Sequence, residues 1–349
     1  MYSKILASLK SRSGKIVIIS DTNVANLYSD AFCKSLQNIK PDTVLLNIPP
    51  GEVSKSREIK EILEDKLIEM GVGKNDLLIA FGGGVVSDVV GYLAATYLRG
   101  ISYIVIPTTL MGMVDAAIGG KNGINHKKGK NLMGSLLSPD DVYIEPGFLA
   151  TLPDIVYREG FIEVIKYGLI FDEEMFCGLE NKVLSEREYI DKSIQIKRII
   201  VRKDPNDSGL RRILNYGHLV AHAIEKCTAY SVSHGRALWF GILIENYISY
   251  LKGYLSIESV ERIATLLLSE EVRFFPISGI FPEVLYEAMK NDKKASNSVP
   301  RVVLLKRIGK VVSFGGEYCT LLNYADFAKA FSWASNLIEK PLPIRSLTV

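Results

Sequence analysis

Short, continuous apolar runs alternate with amphipathic stretches in the first part of the chain. The apolar runs predict four strands, at residues 15–20, 42–48, 76–81 and 103–107. Residues 55–70 carry charges on one face and apolar side chains on the other, which predicts an amphipathic helix. Apolar strands separated by helices are typical of a mostly parallel sheet covered on both faces. Ligands of such sheets bind at the carboxyl ends of the strands.

Long helical patterns replace the strands after Pro146. They cover residues 155–169, 186–203, 214–227 and 237–254. Two later stretches, 302–305 and 310–314, look strand-like and predict a small hairpin near the end. We therefore expect an α/β domain over residues 1–146 and a mainly helical domain over residues 147–349, since a chain of 349 residues usually forms two domains.

The composition narrows the class of protein. Lysine and arginine number 42 against 39 acidic residues, and no basic stripe stands out, which argues against a nucleic-acid partner. The four cysteines are widely spaced without a CxxC pair, so we expect reduced thiols and a cytoplasmic location. No window of 18 uncharged apolar residues occurs, so neither a signal peptide nor a membrane span is predicted.

A glycine-rich segment follows the third predicted strand. Gly82 to Gly84 lead into a helical pattern, where backbone N–H groups can approach a pyrophosphate at a helix N-terminus or where the chain can simply turn tightly. The segment is not the Rossmann GxGxxG, and Asp88 stands where a Walker loop needs lysine. Thr108 and Thr109 end the next strand, where their hydroxyls either bind a cofactor or cap the following turn.

Histidines form the sharpest chemical feature. Three of the four in the chain, His218, His222 and His234, fall within seventeen residues, and the first two are four residues apart on one helix face. Imidazole is a common zinc ligand, so the cluster indicates metal binding or catalysis rather than a packed core. Because Leu219 stands where the HExxH motif has glutamate, that zinc-protease pattern is excluded.

Two further stretches carry charges suited to a binding site. Glu163 and Lys166 lie in an otherwise apolar helical pattern, which favours a cleft over an ordinary surface ion pair. Residues 114–131 contain so many glycines and lysines that we predict an unpacked loop, which either wraps a phosphate or carboxylate or is merely solvated.

Together these segments resemble the dehydroquinate synthase family of the sugar-phosphate cyclases. The resemblance runs from about residue 15 to 309 and rests on the motifs GGGVVSD, YLRG, PTT, GGKNGIN, GKNLMG, EVIKYG, GLRRILNYGH, HAIE, HG and NDKK. It implies a Rossmann-like nucleotide-binding domain with a parallel sheet, followed by a mainly α-helical domain that binds metal and substrate.

The resemblance also implies roles for individual residues. Glu163, His218 and His234 would be the metal ligands, and His222 would support proton transfer. Arg99 resembles an arginine that reaches into the neighbouring subunit, which implies a homodimer. The residues implied to hold the substrate's hydroxyl, carboxylate and phosphate oxygens are Asp115, Lys121, Asn131, Lys166, Lys197, Arg211, Asn215 and Lys294 or its neighbour Lys293. The implied NAD-binding positions are Asp21, Asn23, Glu52, Lys55, Gly83, Gly84, Val85, Asp88, Thr108, Thr109, Lys121, Lys130 and Thr151.

The activity implied by the resemblance is that of a phosphate-eliminating carbon–oxygen lyase. Its substrate is 3-deoxy-D-arabino-heptulosonate 7-phosphate, and its products are 3-dehydroquinate and phosphate, a step of the shikimate route to chorismate and the aromatic amino acids. The reaction proceeds through transient oxidation by NAD, elimination of phosphate, reduction and an intramolecular aldol closure. Its cofactors are NAD and one divalent metal, zinc or cobalt.

Several positions depart from the family pattern, among them Ala221 in place of a glycine and Pro205 in place of a glutamate. Arg236 replaces the usual glutamate two residues after His234, Leu219 replaces a threonine after His218, and Val156 replaces a glutamate. They leave three alternatives open. One is a related cyclase for another sugar phosphate, such as an amino analogue. The others are a metal-dependent alcohol dehydrogenase that accumulates NADH and a catalytically inactive homologue.

Overall fold

The computed structural model describes residues 2–127, 129–270, 281–290 and 299–339. Its strands are β1 Ile16–Asp21, β2 Val44–Ile48, β3 Leu77–Gly82, β4 Ser102–Pro107, β5 Lys121–His126, β6 Gly129–Leu136, β7 Asp141–Val142, β8 Arg301–Val302, β9 Leu305–Arg307, β10 Lys310–Val311 and β11 Thr320–Leu321. Its α-helices are α1 Ser3–Lys10, α2 Thr22–Val24, α3 Asp30–Gln37, α4 Arg57–Glu69, α5 Gly84–Thr96, α6 Asp154–Phe171, α7 Glu173–Glu180, α8 Glu186–Lys203, α9 His218–Cys227, α10 His234–Leu251, α11 Ile257–Ser269, α12 Pro282–Lys290 and α13 Tyr324–Glu339. Short 3-10 or π-helical turns cover Ala25–Ser29, Glu52–Ser54, Tyr97–Arg99, Gly112–Ala116, Pro146–Thr151 and Leu210–Asn215.

Five strands form one parallel sheet in the order β2-β1-β3-β4-β7. Strand β3 is buried along its whole length and β1 nearly so, because their continuous apolar runs place side chains in the core on both faces. The four predicted strands and the helix predicted at residues 55–70 are confirmed, with ends shifted by one or two residues. The sheet and the helical second part together confirm the predicted fold class.

Contacts divide the chain into two compact units. The first comprises Met1–Gly160 and Glu186–Ile199, and the second comprises Phe161–Ser185 and Ile200–Val349. The chain therefore crosses between the units three times, within α6, between α7 and α8, and within α8. The boundary expected between residues 146 and 147 stays a prediction, because it marks the change from strands to helices rather than a division by contacts.

The prediction of an unpacked loop over residues 114–131 was wrong. After a π-helical turn, β5 and β6 form an antiparallel hairpin in which Gly123 faces Gly134. A Cβ atom at Gly134 would lie only 2.0 Å from the carbonyl oxygen of Asn122, so glycine allows the strands to approach closely. Ile124 and Met133 pack into the hydrophobic core of the first unit.

The helix predicted from residue 214 begins later, at His218. Residues Leu210–Asn215 form a 3-10 turn. Gly217 then adopts a left-handed conformation with a φ angle of +78°, which separates this turn from the helix that begins at His218. The apolar pattern runs through this break without interruption, so periodicity alone could not detect it.

The small hairpin predicted near the end is confirmed in a shorter form. Strands β9 and β10 pair antiparallel, with Lys310 opposite Arg307. Val302 pairs instead with Thr320 of β11. None of the helices in the described part of the chain is long and apolar enough to cross a membrane.

Candidate active site

Three potential metal ligands converge within the second unit. Glu163 lies in the middle of α6, whereas His218 and His234 are the first residues of α9 and α10. One ligand atom from each lies within 4.8 Å of the others. The Nε2 atoms of the two histidines are each 3.5 Å from Oε1 of Glu163.

The carboxylate of Glu163 is buried and short of hydrogen bonds. Its side chain is 1% exposed, Lys166 Nζ contacts its Oε2 atom, and neither oxygen has a hydrogen-bond partner of good geometry. Burial alone would raise the pKa of Glu163, but the Lys166 ammonium and the two histidines outweigh burial and hold this pKa well below its ordinary value. The group is therefore a carboxylate.

Each ligand histidine has a second partner on its Nδ1 atom. His218 Nδ1 lies 3.1 Å from the carbonyl oxygen of Tyr216, and His234 Nδ1 lies 3.6 Å from Oε2 of Glu225. Burial lowers the pKa of His234, but Glu163 and Glu225 raise it to about 10. Partners on Nδ1 leave Nε2 of both rings for a cation, whose binding would displace a proton.

The triad fits a divalent cation of the zinc type. A tetrahedral site with bonds of about 2.0–2.1 Å places neighbouring ligand atoms about 3.3–3.4 Å apart. The two nitrogen–oxygen distances of 3.5 Å are close to that spacing. A buried carboxylate with an ammonium contact but no well-formed hydrogen bond is also the expected state of a ligand that contacts a cation.

His222 lies beside this triad without belonging to it. Its ring centroid is 5.8 Å from that of His218 and 6.4 Å from that of His234, and the ring is half-buried. The predicted clustering of the three histidines is confirmed. The role of His222 in proton transfer stays a prediction.

Other predicted substrate residues of the second unit lie next to the ligands in sequence. Lys166 Nζ donates a hydrogen bond to the Leu214 carbonyl at 3.0 Å, and Asn215 follows in the same turn. The guanidinium of Arg211 is 2% exposed and donates to the Pro205 carbonyl at 3.1 Å. Lys166 is thereby anchored to the backbone just before His218, and Arg211 to the backbone at Pro205.

Asp204 holds the loop that carries Arg211. Its carboxylate accepts hydrogen bonds from the backbone N–H groups of Ser208, Gly209 and Arg211 at 2.7–3.0 Å. Although burial raises the pKa of Asp204, these hydrogen bonds lower it to about 2. No pattern in the sequence indicated this role for Asp204.

Within the first unit, several predicted NAD and substrate residues form one polar cluster. Lys55 Nζ donates hydrogen bonds to Asp88 Oδ2 at 2.6 Å and to Asn131 Oδ1 at 2.5 Å. Oε1 of Glu52 lies 4.0 Å from Lys130 Nζ and 3.9 Å from Lys55 Nζ. Burial raises the pKa of Asp88, and the Lys55 ammonium opposes that shift.

The glycine-rich segment begins α5. Gly83 occupies the N-cap position and supplies no side-chain cap, so the first amides of the helix, including those of Gly84 and Val85, have no cap from it. A Cβ atom at Gly83 would lie 3.0 Å from the Thr109 methyl carbon. The Thr109 hydroxyl accepts a hydrogen bond from the Gly112 N–H, which is the turn-capping alternative, while the Thr108 hydroxyl is buried without a hydrogen-bond partner.

The remaining predicted positions are spread over the first unit. Asp21 caps the turn after β1 by accepting from the amides of Asn23 and Val24, and the Thr151 hydroxyl is 2.7 Å from Tyr28 Oη. Lys197 Nζ donates to the Asp115 carbonyl at 3.0 Å and also pairs with its carboxylate.

Two predicted positions are exposed, and two are not described. Lys121 and Arg99 are exposed, and Arg99 has a left-handed φ of +63°. Lys293 and Lys294 lie outside the described residues.

Two more residues have contacts that the sequence did not predict. Glu225, which faces His234, lies seven residues after His218, so the helical spacing could have revealed it. The Asn125 side chain donates a hydrogen bond to Glu52 at 2.8 Å and accepts one from the backbone N–H of Asn131. No residue spacing in the sequence indicates these contacts. The departure Leu219 is 1% exposed and fills the core, which explains why an apolar residue is tolerated there.

Sequence comparisons connect the chain with proteins of known activity. Residues 45–159 match the family "3-dehydroquinate synthase N-terminal" and residues 160–295 match "3-dehydroquinate synthase C-terminal". The 3-dehydroquinate synthase of Prochlorococcus marinus (strain MIT 9312) is 40% identical over 311 residues, which cover 86% of this chain and 85% of that protein. The enzyme of the same name from Chlamydia caviae is 37% identical over 338 residues, which cover 91% and 89%.

Solved structures share the fold. 2-Epi-5-epi-valiolone synthase from Streptomyces hygroscopicus, solved with NAD+ and Zn2+ bound, aligns with a TM-score of 0.83 and 26% identity over 95% of both chains. A 2-deoxy-scyllo-inosose synthase complexed with carbaglucose-6-phosphate, NAD+ and Co2+ aligns with the same TM-score and 22% identity over 94% of both.

Proposed function

Because this chain belongs to the 3-dehydroquinate synthase family, we propose that it converts 3-deoxy-D-arabino-heptulosonate 7-phosphate into 3-dehydroquinate and phosphate. The observation that carries the proposal is the triad of Glu163, His218 and His234, which fits a divalent cation in a chain similar to these lyases over most of its length. NAD and zinc or cobalt are the cofactors, as in the related cyclases solved with them.

When bound, NAD accepts and returns a hydride, and the divalent cation polarises the alcohol oxygen of the carbon that is oxidised. Glu163, His218 and His234 would hold that cation. Glu163 suits this role because its low pKa keeps it ionised despite burial. Glu225 and the Tyr216 carbonyl fix the ring orientations from the opposite nitrogen atoms.

Lys166 and Arg211 of the second unit would orient the substrate. The ammonium of Lys166 is held between Glu163 and the Leu214 carbonyl, so its position is set before any ligand binds. Arg211 is likewise fixed by the Asp204 loop and suits bidentate binding of a carboxylate or phosphate. His222 would accept or donate the proton that moves during the reaction.

In the first unit, the polar cluster and the start of α5 would bind NAD. The amides of Gly84 and Val85 at a helix N-terminus favour a pyrophosphate. Lys55 fixes the side chains of Asp88 and Asn131, so the cluster presents a defined set of hydrogen-bonding groups. The Lys197–Asp115 pair and Lys121 would contribute contacts to the substrate.

The deciding experiment measures the phosphate that the zinc-loaded protein releases from 3-deoxy-D-arabino-heptulosonate 7-phosphate, with and without NAD. Absorbance at the nicotinamide wavelength is followed at the same time. We expect phosphate release that depends on NAD, without accumulation of NADH, and its loss in His218→Ala. Net NADH formation without phosphate would instead identify an alcohol dehydrogenase. Release from another sugar phosphate but not from this heptulosonate would identify a related cyclase, and no turnover at all would identify an inactive homologue.

We also propose a cytoplasmic homodimer. The reducing environment of the cytoplasm would suit the four cysteines, all of which are free thiols. The exposed Arg99, in its left-handed turn, is the residue that would reach the partner's substrate. Light scattering of the purified protein measures the assembly. Arg99→Ala should lower kcat while leaving the mass of the assembly unchanged, and a monomer that is fully active would refute the arrangement.

A further inference from the structure

A buried carboxylate, that of Glu245, lies in the second unit outside the set of residues already discussed. Glu245 is 0% exposed in the middle of α10, with Leu243, Ile244 and Ile248 equally buried around it in the same helix. Burying a carboxylate is costly unless donors compensate it. A glutamate in such an apolar stretch therefore calls for a specific partner.

One hydrogen-bond partner of Glu245 is the backbone of the segment that carries a metal ligand. Oε2 of Glu245 accepts a hydrogen bond from the Gly217 N–H at 2.8 Å. Gly217 is the N-cap of α9, and the next residue is His218. A carboxylate at this helix end also interacts favourably with the helix dipole.

The two backbones are in close contact at this point. A Cβ atom on Gly241, one turn before Glu245, would lie 2.1 Å from the Gly217 carbonyl oxygen. On the other side, His218 Nδ1 is tied to the Tyr216 carbonyl. The orientation of the His218 ring thus depends on the backbone of residues 216–218, which Glu245 holds from α10.

Helix α10 thereby connects both histidine ligands. It begins with His234, which contacts Glu163 directly, and eleven residues later it presents Glu245 to the residue before His218. One rigid helix can then set the separation between the two imidazoles.

We propose that Glu245 is a positioning residue of the metal centre, which fixes the backbone at Gly217 so that Nε2 of His218 faces Glu163. This inference rests on the proposed metal-binding function of the triad. It predicts that metal affinity depends on a hydrogen-bond acceptor at position 245, not merely on a side chain that fills the space.

The test compares Glu245→Met, which keeps the volume but removes the acceptor, with Glu245→Gln, which keeps an acceptor for the Gly217 N–H. Zinc affinity is measured by competition with a chromogenic chelator, and the visible spectrum of the Co2+-loaded protein reports ligand geometry. We expect Glu245→Met to bind zinc about 10–100-fold more weakly, as is typical for groups that orient metal ligands. Glu245→Gln should stay within about threefold of the wild type, because its acceptor is retained.

Asn246→Ala is the matched control. Asn246 is the next residue, is also 0% exposed, and donates to the Val260 carbonyl instead of Gly217. This variant should lose stability in urea while it retains zinc affinity and the Co2+ spectrum. If Glu245→Met does not fold, Glu245→Asp, whose carboxylate is one methylene too short, takes its place.

The outcomes separate this inference from the proposed function. Equal zinc affinity in the wild type, the position-245 variants and Asn246→Ala would overturn the role of Glu245 while leaving the metal centre intact. Equal losses in the Met and Gln variants would also overturn it, because the acceptor would not matter. A wild-type protein that binds no zinc would refute the metal centre itself.

Discussion

The two polar clusters of this chain differ in how their charges are satisfied. In the second unit, Glu163 and Lys166 are each 1% exposed, and the carboxylate of Glu163 has no well-formed hydrogen bond. In the first unit, Lys55 is 5% exposed, its partners Asp88 and Glu52 are 17% and 39% exposed, and Glu52 also accepts a hydrogen bond from the Asn125 side chain. The carboxylates of the first unit's cluster therefore reach solvent, whereas Glu163 is enclosed by one ammonium and two histidine rings.

This difference teaches where to expect a metal and where to expect an organic cofactor. A deeply buried carboxylate gains most from a divalent ion, because the ion's charge acts in a medium of low polarity. A cluster whose carboxylates reach solvent gains less from such an ion and can instead exchange water for a ligand's hydroxyl groups.

Glu163→Gln should abolish metal binding and lower kcat at least about a thousandfold, because the polarising charge supplies several kcal/mol. Metal content is measured by mass spectrometry and activity by phosphate release. Asp88→Asn, in the other cluster, is the control and should retain one zinc per chain. Loss of zinc from both variants would show that the two clusters do not differ as described.

Gly241→Ala should destabilise the protein by about 1–3 kcal/mol, as is typical of overpacking. Its added methyl group would meet the Gly217 carbonyl at 2.1 Å, so α10 must shift away from the start of α9. Urea unfolding gives the stability, and chelator competition should reveal weaker zinc binding. Gly253→Ala is the control, because an added Cβ atom at Gly253 would meet open space although the φ angle there is +75°. This variant introduces backbone strain without displacing the helix, so its zinc affinity should be unchanged.

Lys55→Met should weaken NAD binding about tenfold, the cost of losing charge-assisted hydrogen bonds. Without the ammonium, Asp88 and Asn131 lose their common donor. Calorimetric titration with NAD measures the affinity, and zinc content should stay at the wild-type level. An unchanged affinity for NAD would show that this cluster does not bind the cofactor.

Asp204→Ala tests a third case, a carboxylate of the second unit that backbone amides satisfy completely. Its pKa is about 2 in the folded protein against an ordinary 3.8, so the ionised form stabilises the fold above about pH 4. This stabilisation is lost as the pH falls through 2. We expect the variant to be about 1 kcal/mol less stable at pH 6, and the difference should shrink progressively below pH 4.

Urea midpoints of both proteins between pH 6 and pH 3 provide the measurement for Asp204. A difference that is constant over this range would mean that ionisation of Asp204 contributes nothing. The zinc affinity of Asp204→Ala should equal that of the wild type. Asp204, which is bonded to backbone amides, would then affect stability alone. Glu163, which faces two histidine rings, would in contrast affect metal binding.

Local patterns in the sequence predicted much of the fold and part of the site. Continuous apolar runs identified the four main strands of the sheet, and the spacing of His218 and His222 placed them on one helix. The hairpin at β5 and β6 was missed, because glycine and lysine usually indicate loops, whereas here Gly134 permits close strand pairing. The break at Gly217 was missed because the apolar period continues across it.

By itself, the sequence determined the strands, most helices and the residue types able to bind a cation. Tertiary packing alone places Glu163 within 3.5 Å of two histidine rings from other helices and sets Glu245 against Gly217, 28 residues away in the chain. The physical reason is that periodicity reports which face of an element is buried, not which element covers it. Partners far apart in the chain are chosen by the packing of helices, which no local pattern specifies.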